Sequence, residues 1–268
     1  MLFIGSRHCG RFSLSCPVEA KRGARVKRVH GTTILSSPLA ASETVRTVAV
    51  IPAYNESSTI GSVIDGTSRY VDEVVVVDDG STDDTAAIAR EHGAHVVTHV
   101  FNTGVGGAVR TGYQYAIRHD FDFVVQVDAD GQHDPEKIPT LLDHAEDADM
   151  VIGSRYLNES IDDYPLIRRL GITFFTTVVR KLGGIDITDV TSGFRVYRVS
   201  ALKDILHRSD NHWAVEQTLD AAQRGQRIEE VSIEMPIRDE GESQFSLDTL
   251  VLYPIRMTDT VFRVLLFR

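Results

Sequence analysis

Two acids stand one residue apart in the run Val124-Val125-Gln126-Val127-Asp128-Ala129-Asp130-Gly131-Gln132-His133-Asp134-Pro135. Asp128, Asp130 and the amide oxygen of Gln132 are hard oxygen donors of the kind that hold Mg²⁺ or Mn²⁺. Mg²⁺ is usually held by one or two carboxylates together with substrate phosphates. The chemistry first suggested is therefore a metal–diphosphate site. A plainer reading competes with it on this stretch alone. Asp134-Pro135-Glu136 is a good helix start, and the acids would then belong to a capping turn.

A second pair of acids, Asp78 and Asp79, ends a run of valines. Side chains alternate along a strand, so the two cannot both face the core. Asp79 is expected in the crevice, accepting from a base N–H or a ribose hydroxyl; the alternative is an N-cap for the helix after Ser81 and Thr82. The Gly104-Val105-Gly106-Gly107 loop is a poor dinucleotide fingerprint. Its third glycine position is Val109, and it follows the third strand rather than the first. Close strand–helix packing or the floor of a sugar-nucleotide pocket are its better readings. No Ser-His-Asp or Cys-His set stands out, and the histidines lack zinc-hydrolase spacing.

These residues need a scaffold. Short apolar runs at Thr47–Ile51, Glu73–Val77, Ala94–Thr98 and Phe123–Val127 alternate with helical patterns over about Thr59–Tyr70, from after Thr82 to about His92, and from the glycine-rich loop to about His119. The valine run is typical of a strand buried on both faces. Fourfold alternation argues for a doubly wound, mostly parallel α/β sheet. In such sheets ligands sit beyond the carboxyl ends of the strands, where the acids fall. Beyond Pro135 the pattern predicts a helix at Pro139–Ala148, a strand at Asp149–Gly153, a helix at Tyr164–Leu182, a loop and strand over Asp186–Arg198, a helix at Ala214–Arg224, an edge strand at Ile228–Ile237 and a last helix at Leu247–Phe267.

Charge is uneven along the chain. Residues 1–46 hold eight of the 28 Lys/Arg and two of the 38 Asp/Glu, so the remainder carries 20 basic and 36 acidic residues and a formal charge of −16. So acidic a body is a poor general nucleic-acid binder. Both cysteines, Cys9 and Cys16, lie in the first segment, so neither a disulfide nor a zinc cluster is available to the rest. Residues 1–45 lack periodicity and are expected to be a disordered basic segment; a targeting peptide and an upstream extension are the other readings. No apolar run is long enough to span a bilayer.

Taken together, Ile51-Pro52-Ala53-Tyr54-Asn55-Glu56, Val77-Asp78-Asp79-Gly80-Ser81-Thr82, Asp128-Ala129-Asp130-Gly131-Gln132-His133 and Gly153-Ser154-Arg155 resemble the family-2 glycosyltransferases of GT-A fold. Asp189-Val190-Thr191-Ser192-Gly193-Phe194-Arg195 and Arg238-x-x-Gly241-Glu242-Ser243 narrow the resemblance to the dolichyl-phosphate mannose synthase and polyprenyl-phosphate glycosyltransferase branch, over about residues 46–245. The resemblance implies a metal-dependent enzyme that moves a sugar, with inversion, from a nucleotide sugar to a polyprenyl or dolichyl phosphate. Pro52, Tyr54, Glu56, Val77 and Asp79 would line the base and ribose pocket. Asp128, Ala129 and Asp130 would meet ribose and diphosphate, with Asp130 and Gln132 on the metal. Arg155, Arg168 and Arg238, with Ser243, would surround the diphosphate and the acceptor phosphate. Two departures, His212 and Gln244 at positions where mannose synthases are basic, leave UDP-glucose as plausible a donor as GDP-mannose. Transfer to a saccharide hydroxyl, for which Glu216 is a candidate base, and non-catalytic nucleotide-sugar binding are the rival readings.

The resemblance also implies a membrane. Tyr164–Leu182 and Leu247–Arg268 are apolar and basic, as helices lying in a bilayer interface are; buried helices covering the sheet are the alternative. Related synthases often carry transmembrane helices after the catalytic domain, and none is evident here. Attachment to the cytoplasmic face, directly or through a membrane-anchoring partner, is the expectation.

Overall fold

The computed structural model describes residues 44–157, 166–207 and 212–234, with the side chains of 166–172 and 175 excepted. Among the described residues seven strands form one sheet: β1 (Thr47–Ala53), β2 (Glu73–Asp78), β3 (His95–Thr98), β4 (Phe123–Gln126), β5 (Met150–Ser154), β6 (Arg195–Arg198) and β7 (Ile228–Ser232). Their order is β3-β2-β1-β4-β6-β5-β7. β1 pairs in parallel with β2 and β4, β2 with β3, and β5 with β7; β6 alone runs antiparallel to its neighbours β4 and β5.

The period-2 alternation of the strands builds a core on each face of the sheet. Val48, Val50, Val75 and Val77 point to one side, where α3 (Val105–Arg118) covers them, and the same core continues to α7 (Trp213–Gln223). Ala49, Ile51, Val74 and Val76 point to the other, beneath α1 (Ile60–Thr67), α2 (Thr85–Glu91) and α4 (Ile138–Ala145). Two further helices, α5 (Leu166–Gly183) and the short α6 (Val199–Leu202), complete the described elements. Farther along α3, beyond the Gly104–Gly107 loop, a Cβ at Gly112 would overlap Val50 Cγ1, so glycine there lets α3 lie close to β1.

The expected doubly wound sheet is present. Several boundaries differ from the sequence reading. α1 stops three residues short of Tyr70, whose N–H bonds Thr67 O in a turn instead. A 3₁₀ turn at Pro135–Lys137 precedes α4, and α4 ends at Ala145 rather than 148. β3 is half-exposed, being the sheet's edge. The segment 1–43, Arg238, Ser243 and the predicted Leu247–Phe267 helix lie outside the described residues. Among the described residues no helix is long and apolar enough to cross a membrane.

Two features of this topology position the site. Strand order reverses beside β1, with β2 and β3 on one flank and β4 on the other, which opens a crevice at the carboxyl ends of β1 and β4. Because β6 is antiparallel, its first residue, Arg195, pairs with Gln126 at the end of β4. The loop entering β6 therefore lies at the same edge as the loop leaving β4.

Candidate active site

The turn after β4 carries Asp128 and Asp130, both partly exposed, with Ala129 buried between them. Asp130 Oδ1 accepts from the N–H of Gln132 at 3.0 Å, and Gly131 takes a positive φ of 76° to close the turn. The capping role falls to a different acid. Asp134 Oδ1 accepts from Glu136 N at 2.9 Å, with Pro135 in the first position of the 3₁₀ turn. The capping reading thus holds at Asp134, while Asp128 and Asp130 stand partly exposed in the turn that follows β4.

Two carboxylates and an amide oxygen fit a Mg²⁺- or Mn²⁺-type site whose remaining positions come from phosphate and water. Among the described residues no three His, Cys, Asp or Glu side chains converge as a metal cage.

Behind the turn, His133 is 5% exposed and lies flat on the ring of Phe194, with centroids 4.8 Å apart and planes at 11°. Its Nδ1 accepts from the backbone N–H of Asp128 at 2.9 Å, and its Nε2 stands 3.5 Å from Asp128 Oδ2. Burial pushes the His133 imidazole below its ordinary value; the charge of Asp128 and Asp130 opposes this, and that of Arg155 adds to it. Gly193 also lies against the Asp128 carboxylate. A Cβ on that glycine would fall 2.7 Å from Oδ2 and 2.9 Å from Oδ1.

Arg155 follows β5 and is gripped by the loop entering β6. Its Nε and Nη2 donate to Asp189 Oδ2 and Oδ1 at 2.7 and 2.9 Å, and Nη2 also donates to Thr191 Oγ1 at 2.7 Å. Asp189 is fully buried and Oδ1 also accepts from Thr191 N and Ser192 N, both at 3.1 Å. Burial alone would raise the Asp189 carboxyl; the hydrogen bond and charge of Arg155 outweigh it and hold the group below its ordinary value. Glu230 on β7 braces the loop from beneath, accepting from Thr188 N at 2.7 Å and Asp189 N at 2.8 Å. Arg195 is fully buried as well, donating to Ser192 O, Val190 O and Ala214 O, and so ties the loop to α7.

The carboxyl ends of β1 and β2 supply the rest. Tyr54 is 45% exposed just past β1, and Glu56 is half-buried, its Oε2 accepting from Thr59 Oγ1. Pro52 and Val77 are register partners with buried side chains, so they supply wall rather than polar contacts. Arg168 lies in the first turn of α5, and its side chain is outside the described residues.

The reading of Asp78 and Asp79 needs correction. Neither carboxylate is directed to open crevice. Asp78 Oδ1 accepts from Ser81 N, and Asp79, 3% exposed, accepts from Thr103 N, Thr103 Oγ1, Gly104 N and His99 Nδ1. Strand alternation lapses because β2 ends at Asp78 and Gly80 turns the chain at φ 74°. Asp79 thus holds the 99–104 loop against the end of β2. Burial pushes its carboxyl up, but the hydrogen bonds from Thr103, His99 and Gly104 prevail and hold it below the ordinary 3.8. A carboxylate depressed in the fold stabilises it above the unfolded-state value, and that contribution is lost as pH falls through the folded one. Asp79→Asn should therefore be less stable than the parent at neutral pH, and the gap should close below about pH 4 in urea melts across pH. A gap independent of pH would refute that assignment.

The sequence reading missed Asp189, His133 and Gly193 as parts of the site. A signal existed for Asp189: an aspartate followed two and three residues later by Thr and Ser has the form of a local Asx turn. His133 and Gly193 stand in runs quoted for the resemblance, but what each touches is set only by tertiary packing.

The fold and the site together define a GT-A glycosyltransferase. The chain belongs to glycosyl transferase family 2, which matches residues 48–206. It is 33% identical over 216 residues to the undecaprenyl-phosphate mannosyltransferase of Micrococcus luteus, covering 75% of this chain and 88% of that protein. With the polyprenol monophosphomannose synthase of Mycolicibacterium smegmatis it shares 32% over 247 residues, covering 87% and 89% respectively. Identity to the dolichyl-phosphate hexose transferase of Haloferax volcanii is 34% over 187 residues, 69% of this chain and 80% of that one. Among solved structures it is similar to glucosyl-3-phosphoglycerate synthase from Mycobacterium tuberculosis in complex with Mn²⁺, UDP and phosphoglyceric acid, with a TM-score of 0.63 at 25% identity over 82% of this chain and 78% of that one.

Proposed function

We propose that this chain transfers a hexose, with inversion, from a nucleotide sugar to a polyprenyl or dolichyl phosphate, within one catalytic domain spanning about residues 46–245. The observation that carries the reading is the meeting at one sheet edge of the Asp128–Gln132 turn with an arginine locked by Asp189. The relatives named for polyprenyl- and dolichyl-phosphate transfer support the acceptor class.

In this reading Tyr54 and Glu56, with Pro52 and Val77 as wall, border the base and ribose. Asp79 acts on that pocket through the loop it anchors. Asp128, Asp130 and Gln132 hold a divalent cation, Mg²⁺ or Mn²⁺, which supplies neutralisation of the leaving diphosphate. Arg155, its Nε and Nη2 held by Asp189 and Thr191, is assigned with Arg168, Arg238 and Ser243 to the anionic surround of the phosphates. A monophosphate acceptor has its second pKa near ~6 and is already largely anionic at neutral pH. Its oxygen attacks the anomeric carbon as the bond to the diphosphate breaks, so the protein has to steer the nucleophile rather than deprotonate it. The lipid tail places the work at a membrane surface. The exposed Phe174 on α5, with Arg180 and Lys181 in its last turn, suits interfacial contact on the cytoplasmic face.

A donor panel tests this. GDP-mannose, UDP-glucose and related sugars are each incubated with the full chain, Mg²⁺ or Mn²⁺ and a polyprenyl phosphate, and product is extracted into organic solvent. One donor should give a lipid-extractable product that chelator abolishes. Transfer to free saccharides alone, with none to any polyprenyl phosphate, would overturn the reading.

A further inference from the structure

We infer that Asn55 is a positioning residue for the nucleoside: its side chain clasps the turn after β2 and so fixes the two residues beside it, Tyr54 and Glu56. The inference rests on the reading of Tyr54 and Glu56 as the border of base and ribose, and deepens it.

Two loops leave neighbouring parallel strands side by side, residues 54–59 after β1 and residues 79–84 after β2. The ladder between those strands closes with Asp79 N donating to Ala53 O at 2.8 Å. Beyond that bond, side chains take over. Three successive backbone N–H groups donate across the gap: Asn55 N to Ser81 Oγ at 2.9 Å, Glu56 N to Thr85 Oγ1 at 2.8 Å and Ser57 N to Asp83 Oδ2 at 3.2 Å. Asn55 answers in the other direction. Its Oδ1 accepts from Thr82 N at 2.8 Å and from Thr82 Oγ1 at 3.3 Å.

Asn55 does this at φ 56°, in the left-handed region that side-chain-bearing residues seldom enter and that asparagine tolerates. The position is exposed, so core packing does not hold it there. The bonds to Ser81 and Thr82 do. Tyr54 is 45% exposed, so burial does not locate it either. Its place depends on the backbone that the clasp fixes. A nucleotide binds only the arrangement in which both border residues are in place, and its apparent dissociation constant rises as the fraction in that arrangement falls.

Three substitutions test the clasp. Asn55→Gly accepts the positive φ without strain and removes the acceptor. Asn55→Asp keeps both an acceptor oxygen for Thr82 N and tolerance of that φ. Ser81→Ala removes the acceptor of Asn55 N from the opposite loop. UDP, and separately GDP, is titrated into the full chain with Mg²⁺ and followed by calorimetry, with thermal midpoints recorded alongside. Inorganic pyrophosphate with Mg²⁺ is the parallel ligand, since it calls on the metal and arginine side of the site and on no base pocket. Asn55→Gly should raise the nucleotide dissociation constant roughly tenfold and that of pyrophosphate by less than about twofold. Asn55→Asp should stay within about threefold of the parent for both ligands. Parent-like nucleotide affinity in Asn55→Gly overturns the inference. So does an equal loss toward nucleotide and pyrophosphate, or an equal loss in Asn55→Asp; either leaves Asn55 a turn residue. If Asn55→Gly does not fold, Ser81→Ala decides alone: a loss confined to the nucleotide supports, and parent-like affinity overturns. A parent that binds pyrophosphate but neither nucleotide overturns the nucleotide-sugar reading itself, and the inference with it.

Discussion

Asp189→Ala should lose about 3–5 kcal/mol of folding stability, the range for breaking a buried ion pair from one side. Three losses coincide at this position. Arg155, whose side chain is only 14% exposed, loses a bidentate partner. The N–H groups of Thr191 and Ser192 lose their acceptor. The loop that Glu230 braces from below loses its upper anchor. Asp189→Asn keeps one acceptor oxygen and the side chain's shape, so it should fall between the parent and the alanine variant. Urea melts of the three proteins, fitted with a common slope, check the order. A loss below about 1 kcal/mol in the alanine variant, the size of a surface pair, would show that Arg155 simply hydrates and that the pair is not structural.

What the sequence revealed follows from how local each signal is. The valine run of β2 and the apolar stretches of β1 and β4 declare a sheet buried on both faces, and the observed inward-facing residues alternate as period 2 requires. The acids after β4 were legible for the same reason: a strand that ends in Asp-x-Asp leaves them at an edge whatever the rest of the chain does. Asp79 was misread because alternation was extended one residue past the strand, across a positive-φ glycine that resets direction. The grip on Arg155 was invisible because its partner lies 34 residues away in sequence and arrives only through the antiparallel turn of β6. Nothing in a one-dimensional pattern states that β6 reverses, yet that reversal brings Gly193 to Asp128. Single-residue explanations of the site were therefore available for the turn after β4 and unavailable for the loop that completes it.

Asp130→Ala should abolish transfer while leaving the fold nearly intact. Asp130 is partly exposed in the turn, where its carboxylate accepts from Gln132 N. Loss of that bond costs about 1 kcal/mol, well within what the two-faced core tolerates. The chemical loss is of another order. Charge stabilisation by a bound cation is worth several kcal/mol, and each 1.4 kcal/mol is tenfold in rate, so transfer should fall by roughly 10³-fold. Asp134→Ala provides the matched control in the same loop. It removes the cap on Glu136 N, which should cost about 1 kcal/mol and leave the rate per folded molecule unchanged. The pair thus separates the two readings of an acidic stretch, one acid for chemistry and one for capping. Measured rates, normalised to folded protein, should differ by about three orders of magnitude between the variants. Full activity of Asp130→Ala in excess chelator would end the metal–diphosphate reading, and equal losses in both variants would return the whole run to a structural turn.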